Sequence, residues 1–177
     1  GVDVRGKVFV DKQPLATLRL MIVTKLFPNA KIIFALRDPR DVVLSCFRRS
    51  FNMNFSLYPF LALDTAARYY AGVMELAKYE RVKFGLDWHY LRHESLVDDF
   101  ENELRKVCEF IGVPWSDEMH KFVDRAKARR IATPSSLQVM KGINREGVGV
   151  WRSYTKHLES IFPILDPWIK EFGYEPS

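Results

Sequence analysis

The sequence predicts an α/β domain built on a parallel sheet, and three observations carry that prediction. Two strand-turn-helix units follow one another in the first third of the chain, residues 31–36 are apolar without alternation, and strand and helix patterns alternate again further on. A strand followed by a helix that returns to a parallel neighbour makes a right-handed crossover. The 177 residues are 47% hydrophobic, 14% aromatic and 28% charged, which suits one domain with its own core and excludes disorder. No repeat or Pro/Gly enrichment suggests a fibrous chain. No apolar run approaches the roughly 20 residues of a membrane-spanning helix. The first residues lack the apolar stretch and small-residue cleavage site of a secretory signal, which favours the cytoplasm and leaves the compartment otherwise unassigned.

The elements follow in order. Residues 6–10 read as a short strand, and Pro14 opens a helix whose Leu15, Leu18, Ile22 and Leu26 form one apolar stripe. That helix stops near Pro28, and residues 31–36 (KIIFAL) read as a strand buried in a parallel sheet. Arg37, Asp38 and Pro39 end the strand and open a second helix, with Val42, Val43, Cys46 and Phe47 on its apolar side. Residues 51–60, rich in aromatics, read as a lid or binding loop. A long helix is expected over about residues 64–84, a strand over 88–92 after Gly85, and a helix capped by Asp98 or Asp99 and ended by Gly112 and Pro114. Ser116 with Asp117 and Glu118 starts another helix, residues 132–149 read as an extended loop, and residues 153–172 as a terminal helical region.

The charge is unevenly spread. Lys and Arg number 27 against 22 Asp and Glu, a net +5, and cluster around residues 37–49, 121–130 and 141–156. Such clusters suit an anionic partner, although the 121–130 run also fits a solvated helix face. Nucleic acid is not indicated, because no zinc-finger, basic-zipper or RNP-like signature occurs. Cys46 and Cys108 sit inside apolar helical patterns as small buried hydrophobes, and the four histidines show no metal-ligand spacing, so no metal is expected.

The sharpest motif spans residues 31–49. A buried strand delivers Arg37 to the carboxyl end of the sheet, where the next helix presents its N-terminal amides, and Ser45 and Arg49 follow at helical spacing. A guanidinium, a hydroxyl and a second guanidinium then converge on one anion, with a phosphate as the natural ligand. The competing structural reading pairs Arg37 with Asp38 or Asp41.

This run resembles the 3′-phosphate motif of sulfotransferases that use 3′-phosphoadenosine 5′-phosphosulfate (PAPS), in which an arginine and a serine eight residues apart hold the nucleotide's 3′-phosphate. Residues 9–14 (FVDKQP) are similar to the Asp-Lys-x-Pro strand of the bacterial and tyrosylprotein-type members, and residues 93–97 (HESLV) to a Tyr-Glu-x-Leu-Val segment. Residues 112–115 (GVPW) match a helix terminator, 135–141 (SSLQVMK) the loop over the adenine, and 149–154 (GVWRSY) the closing Gly-x-Trp segment. These matches run in the family's order along nearly the whole chain.

The resemblance implies a P-loop NTPase-like three-layer α/β domain, with residues 1–177 as one partial domain incomplete at the N-terminus. The family's first strand, Walker-type phosphate loop and helix have no counterpart, because no Gly-x-x-Gly-Thr-Thr-like or GxxxxGK[ST] sequence occurs. It also implies PAPS as co-substrate, an acceptor hydroxyl on a carbohydrate, peptide or small molecule, Lys12 as the catalytic residue, and Arg37, Ser45, Arg49, His93, Ser135, Lys141, Arg145 and Gly149 around the nucleotide. His93 stands where the family has a tyrosine, and Gly147 interrupts the late Arg-Lys-Gly pattern of cytosolic members. This chain by itself is expected to be inactive. A noncatalytic nucleotide-binding or interaction module of the same fold is the alternative, and a P-loop kinase-like protein a third reading that has no need of the Arg37 and Ser45 pair.

Overall fold

The computed structural model describes residues 5–49, 57–124 and 142–176. A 3₁₀ turn, Ala16–Arg19, leads into α1 (Leu20–Leu26), followed by β1 (Lys31–Leu36), α2 (Pro39–Phe47) and a second 3₁₀ turn, Tyr58–Leu61. Then come α3 (Leu63–Phe84), β2 (Asp87–Arg92), α4 (His93–Asp98), α5 (Phe100–Ile111) and a 3₁₀ turn at Asp117–Lys121. The C-terminal part holds α6 (Thr155–Leu158) and α7 (Phe162–Glu171), with 3₁₀ turns at Arg145–Gly147, Val150–Tyr154 and Glu159–Ile161. No helix among the described residues is long and apolar enough to cross a membrane.

β1 and β2 pair in parallel, from Lys31 opposite Asp87 to Leu36 opposite Arg92. The two-residue period of a strand puts Phe34, Trp88 and Tyr90 on one face and Ile33 and His89 on the other. On the first face Phe34 stacks on Trp88 at 4.8 Å, Phe172 meets Tyr90 at 6.1 Å, and Arg81 of α3 lies over Trp88 at 5.7 Å. On the second, Phe110 of α5 stacks on His89 at 5.3 Å, and the Lys31 ammonium donates to the Phe110 carbonyl at 2.6 Å. Helices on both sides of a parallel pair give the three-layer α/β arrangement that the sequence predicts.

The main core lies beside this pair. Val43 and Leu44 of α2, Ala66, Ala67 and Tyr70 of α3, Trp151, Leu158, Ile161, and Leu165, Trp168 and Ile169 of α7 form one buried cluster. The two alanines let α3 lie close to its neighbours, and the larger side chains come from the C-terminal part of the chain. Asp99 caps α5 by accepting from the Asn102 amide at 3.2 Å, and Ser116 caps the following 3₁₀ turn. Both cysteines carry free thiols, Cys108 buried and Cys46 half-buried.

The structure corrects four readings. Residues 7–13 have no regular structure, and Phe9 is 84% exposed; a strand exists through its partner, and the described residues form only the two-stranded β1 and β2 sheet. For the same reason β1 is half-buried rather than enclosed. In α1 the buried residue is Leu20, while Leu18, Ile22 and Leu26 face solvent, because spacing settles which residues share a face and not which face meets α3. Residues 93–98, read only as a motif, form the short helix α4. Most of the aromatic lid, residues 50–56, lies outside the described residues, and Phe60 at its end packs partly buried against the core, edge-on to Tyr69 at 5.5 Å.

Leu165 has no solvent exposure and sits where α7 meets α2 and α3. Leu165→Ala should destabilise the domain by about 2–5 kcal/mol, through lost transfer energy and the cavity left behind. Urea denaturation reads this, and an unchanged midpoint would remove Leu165 from the cooperative core.

Candidate functional site

The carboxyl ends of β1 and β2 carry the candidate site, beginning with a buried charge network. Asp38 is the N-cap of α2 and accepts from the Arg40 amide at 2.9 Å. The same carboxylate holds the Arg40 guanidinium with both oxygens, from Nε at 3.0 Å and Nη2 at 2.8 Å. Arg40 is 1% exposed; it lies 3.7 Å over the Trp151 ring and donates to the Glu175 carbonyl at 2.9 Å. From the first turn of α4, just after β2, Glu94 accepts from the Asp38 amide at 3.0 Å and from the Tyr174 hydroxyl at 2.9 Å. Arg92 lies over the Tyr174 ring at 4.2 Å and donates to the Phe172 carbonyl.

A second carboxylate, Asp41, is also buried. Its oxygens accept from the amides of Gly149, at 2.7 Å, and Trp151, at 2.9 Å. Arg37 lies 3.9 Å from the same carboxylate and donates through Nη2 to the Gly147 carbonyl, while its Nε is buried without a partner among the described residues. Gly147 meets this guanidinium closely, since a β-carbon there would lie 3.1 Å from Nη2. Gly149 has φ +71°, a left-handed conformation that favours glycine.

The sequence-predicted residues fall into three groups. Arg37, Ser45, Arg49 and His93 gather at this edge: Ser45 and Arg49 are half-buried along and just beyond α2, and Cys46 between them feels the charges of both Arg37 and Arg49. His93, the first residue of α4, feels Arg37 and Asp41. Gly149 and Arg145 belong to the segment lying against them, Gly149 through Asp41 and Arg145 through an ion pair with Asp98. Lys12 is exposed in the irregular segment before the first 3₁₀ turn, and among the described residues it shares no hydrogen bond or ion pair with the Arg37 group. Ser135 and Lys141 lie outside the described residues.

One prediction changes in kind. The first amides of α2 are engaged by carboxylates, Asp38 on Arg40 and Glu94 on Asp38. An anion at this edge would therefore meet side chains. The pairing of Arg37 with an acid is real, with Asp41 as the partner, while Asp38 belongs to Arg40. The network of Asp38, Arg40, Asp41, Glu94 and Tyr174 is absent from the predicted site. Its available signal is the pair of acids at the cap and third position of α2, a pattern related to the capping box.

The electrostatics follow from this layout. Burial raises the Asp41 carboxyl above its ordinary value, against the pull of its two amide bonds and of Arg37. Burial also raises the Cys46 thiol, which stays protonated despite Arg37 and Arg49. Burial, followed by Arg37, lowers the His93 imidazole below its ordinary value of 6.5, with Glu94 and Asp41 opposing. Neutral His93 is thus favoured in the fold, and its contribution to stability is complete above the unfolded value and lost as pH falls through the folded one. On acidification from about pH 7.5 toward 5, the wild type should lose more stability than His93→Gln, as read by urea midpoints. Parallel pH profiles for the two proteins would contradict this environment for His93.

Comparison with known proteins finds relatives of low identity that cover most of this chain. A relative from Aquifex aeolicus (strain VF5), an uncharacterized protein, is 28% identical over 166 residues, covering 92% of this chain and 21% of that protein. Protein-tyrosine sulfotransferase A of Caenorhabditis elegans is 24% identical over 182 residues, covering 98% of this chain and 46% of its own length. The protein-tyrosine sulfotransferase of Drosophila melanogaster is 26% identical over 177 residues, covering 94% and 34%. The chain thus spans less than half the length of each of these relatives. The model of the Sulfotransferase family matches residues 2–117, from the segment before Lys12 through β1, α2 and α5, and the chain belongs to that family.

Proposed function

We propose that the protein is a PAPS-dependent sulfotransferase acting on an acceptor hydroxyl, and that this chain carries the 3′-phosphate and adenine side of the site. The observation that carries the reading is the Arg37 guanidinium at the carboxyl edge of the sheet, half-exposed, with a buried Nε that has no partner within the described residues. An unpaired buried donor is costly unless a ligand takes it. Arg49, close enough to act on the same Cys46 thiol, supplies a second positive charge beyond Ser45. Two guanidiniums and a hydroxyl fit a phosphate monoester, with Arg37 Nε as its first donor.

Bound PAPS supplies the sulfuryl group and a phosphate leaving oxygen. In this reading Arg37, Ser45 and Arg49 hold the 3′-phosphate and fix the nucleotide's register. His93, neutral and beside Arg37, offers a hydrogen-bonding or stacking surface toward the base, and Ser135 and Lys141 line the nucleotide from the late loop. Arg145 would exchange Asp98 for the nucleotide, and Gly149 brings backbone close to it. Lys12 neutralises charge developing on the leaving oxygen or donates a proton to it, the positioning and electrostatic work that transfer of a charged group requires. The 5′-phosphosulfate is held by a phosphate loop outside these 177 residues, which contain no such sequence. Carbohydrate, peptide and small-molecule hydroxyls all remain acceptors within this reading, the tyrosylprotein-type relatives lending weight to a peptide.

The test is calorimetric binding of 3′-phosphoadenosine 5′-phosphate (PAP) and of ADP. PAP should bind more tightly than ADP, and Arg37→Ala should weaken PAP by about 10- to 100-fold, the loss of one charge-assisted contact of roughly 1.5–3 kcal/mol. Equal affinity for the two nucleotides, or an Arg37→Ala protein that binds PAP normally, sinks the assignment. Transfer of labelled sulfate from PAPS by this chain alone should be undetectable, and robust transfer would show that no further phosphate loop is needed.

A further inference from the structure

Resting on the reading that Arg37 holds a nucleotide phosphate, we propose that Asp41 is a positioning residue: it couples the anion site to the segment at residues 147–151, so that Arg37 is aimed and that segment anchored in one event. The contacts form a closed circuit. Arg37 donates to the Gly147 carbonyl, and two residues on, the Gly149 amide turns back to Asp41 at 2.7 Å. The Trp151 amide takes the other Asp41 oxygen at 2.9 Å, and Asp41 lies one helical turn from Arg37, 3.9 Å from its Nη2. Two side chains four residues apart thus read three backbone groups of a segment more than 100 residues away.

The surroundings make the circuit stiff. The Asp41 side chain has no solvent exposure. Arg40 closes over the Trp151 ring and is itself fixed by both oxygens of Asp38. At 149 the positive φ favours glycine, and at 147 a β-carbon would lie 3.1 Å from Arg37 Nη2 and shift the guanidinium slightly. A segment released from Asp41 would free the Gly147 carbonyl, and Arg37 would lose the acceptor that orients it.

This role makes a prediction opposite in sign to plain electrostatics. An ionised carboxylate 3.9 Å from Arg37 opposes anion binding, so neutralising it should tighten PAP if charge alone mattered. Asp41→Asn preserves shape, but its amide group places a donor against one of the two backbone N–H groups, which releases one anchor. In the full-length protein, Asp41→Asn should weaken PAP by about tenfold, the size of one hydrogen bond to a charged group. Exchange of the Gly149 and Trp151 amides should quicken in the variant, while PAP should slow it in the wild type. A folded Asp41→Asn protein that binds PAP as tightly as wild type, or more tightly, overturns the proposal. Should the variant not fold, the wild type decides, since amide exchange at 149 and 151 indifferent to saturating PAP also overturns it. A wild type without Arg37-dependent PAP binding removes the nucleotide reading itself, whereas Arg37-dependent binding with an indifferent Asp41→Asn removes only the coupling.

Discussion

The ion pair between Asp38 and Arg40 is the constraint around which the carboxyl edge of the sheet is arranged. Arg40 is 1% exposed and Asp38 6%, so two charges have left water within a three-residue stretch. Desolvation at that depth is compensated only when every remaining donor and acceptor is engaged. The structure meets this by recruiting distant parts of the chain: Glu94 from the first turn of α4, the Trp151 ring and the Glu175 carbonyl, with Tyr174 closing on Glu94. The end of β1, the start of α2, the start of α4 and the C-terminal segment are thereby tied at one place. Removing either partner would leave the other charged and buried, so the network works as a unit.

A division of labour follows from that arrangement. Charges serving the fold are internal, saturated and directional: Asp38 on Arg40, Asp41 on two amides, Glu94 on an amide and a hydroxyl. Arg37 just before α2 and Arg49 just beyond it are both half-buried. Because acids take the Arg40 and Asp38 amides, an anion held at this edge in the proposed reading would meet side chains rather than the helix terminus. His93 beside it is kept neutral by burial and by Arg37, so it adds a polar ring without competing for positive charge.

What the sequence made legible was what depends on local chemistry. Asp38 and Pro39 announce the start of α2, Gly85 and Gly112 the ends of α3 and α5, and the unalternating run of residues 31–36 the strand β1. The electrostatic reach of Arg37 and Arg49 to one thiol, Cys46, fits the spacing of residues 37–49 in the sequence. The rest depends on partners that spacing cannot see. Asp41 and Gly149 are 108 residues apart, and Glu94 and Tyr174 are 80 apart. Residues 6–10 have strand composition and no sheet partner among the described residues, and the stripe through α1 has helical periodicity yet leaves Leu18, Ile22 and Leu26 exposed. Both errors arise from taking a propensity, which belongs to a segment, for a contact, which belongs to a pair.

The donor count at Arg37 bears on whether a residue already held by its own chain can serve a ligand. A guanidinium carries five N–H donors. One, on Nη2, goes to the Gly147 carbonyl, and the nearby Asp41 has both oxygens directed at backbone amides. Among the described residues Nε is buried without a partner, so in the proposed reading the ligand would complete the guanidinium's bonding rather than compete for it. Arg37 and Arg49 both act on the Cys46 thiol, so two guanidiniums lie within electrostatic reach of one point at this edge. In the proposed reading a phosphate monoester, which carries close to two negative charges at neutral pH, suits such a pair better than a singly charged carboxylate does. In the proposed reading the internal contacts of Arg37 would therefore act as preorganisation, holding a long flexible side chain in one geometry before the anion arrives and lowering the entropy lost on binding.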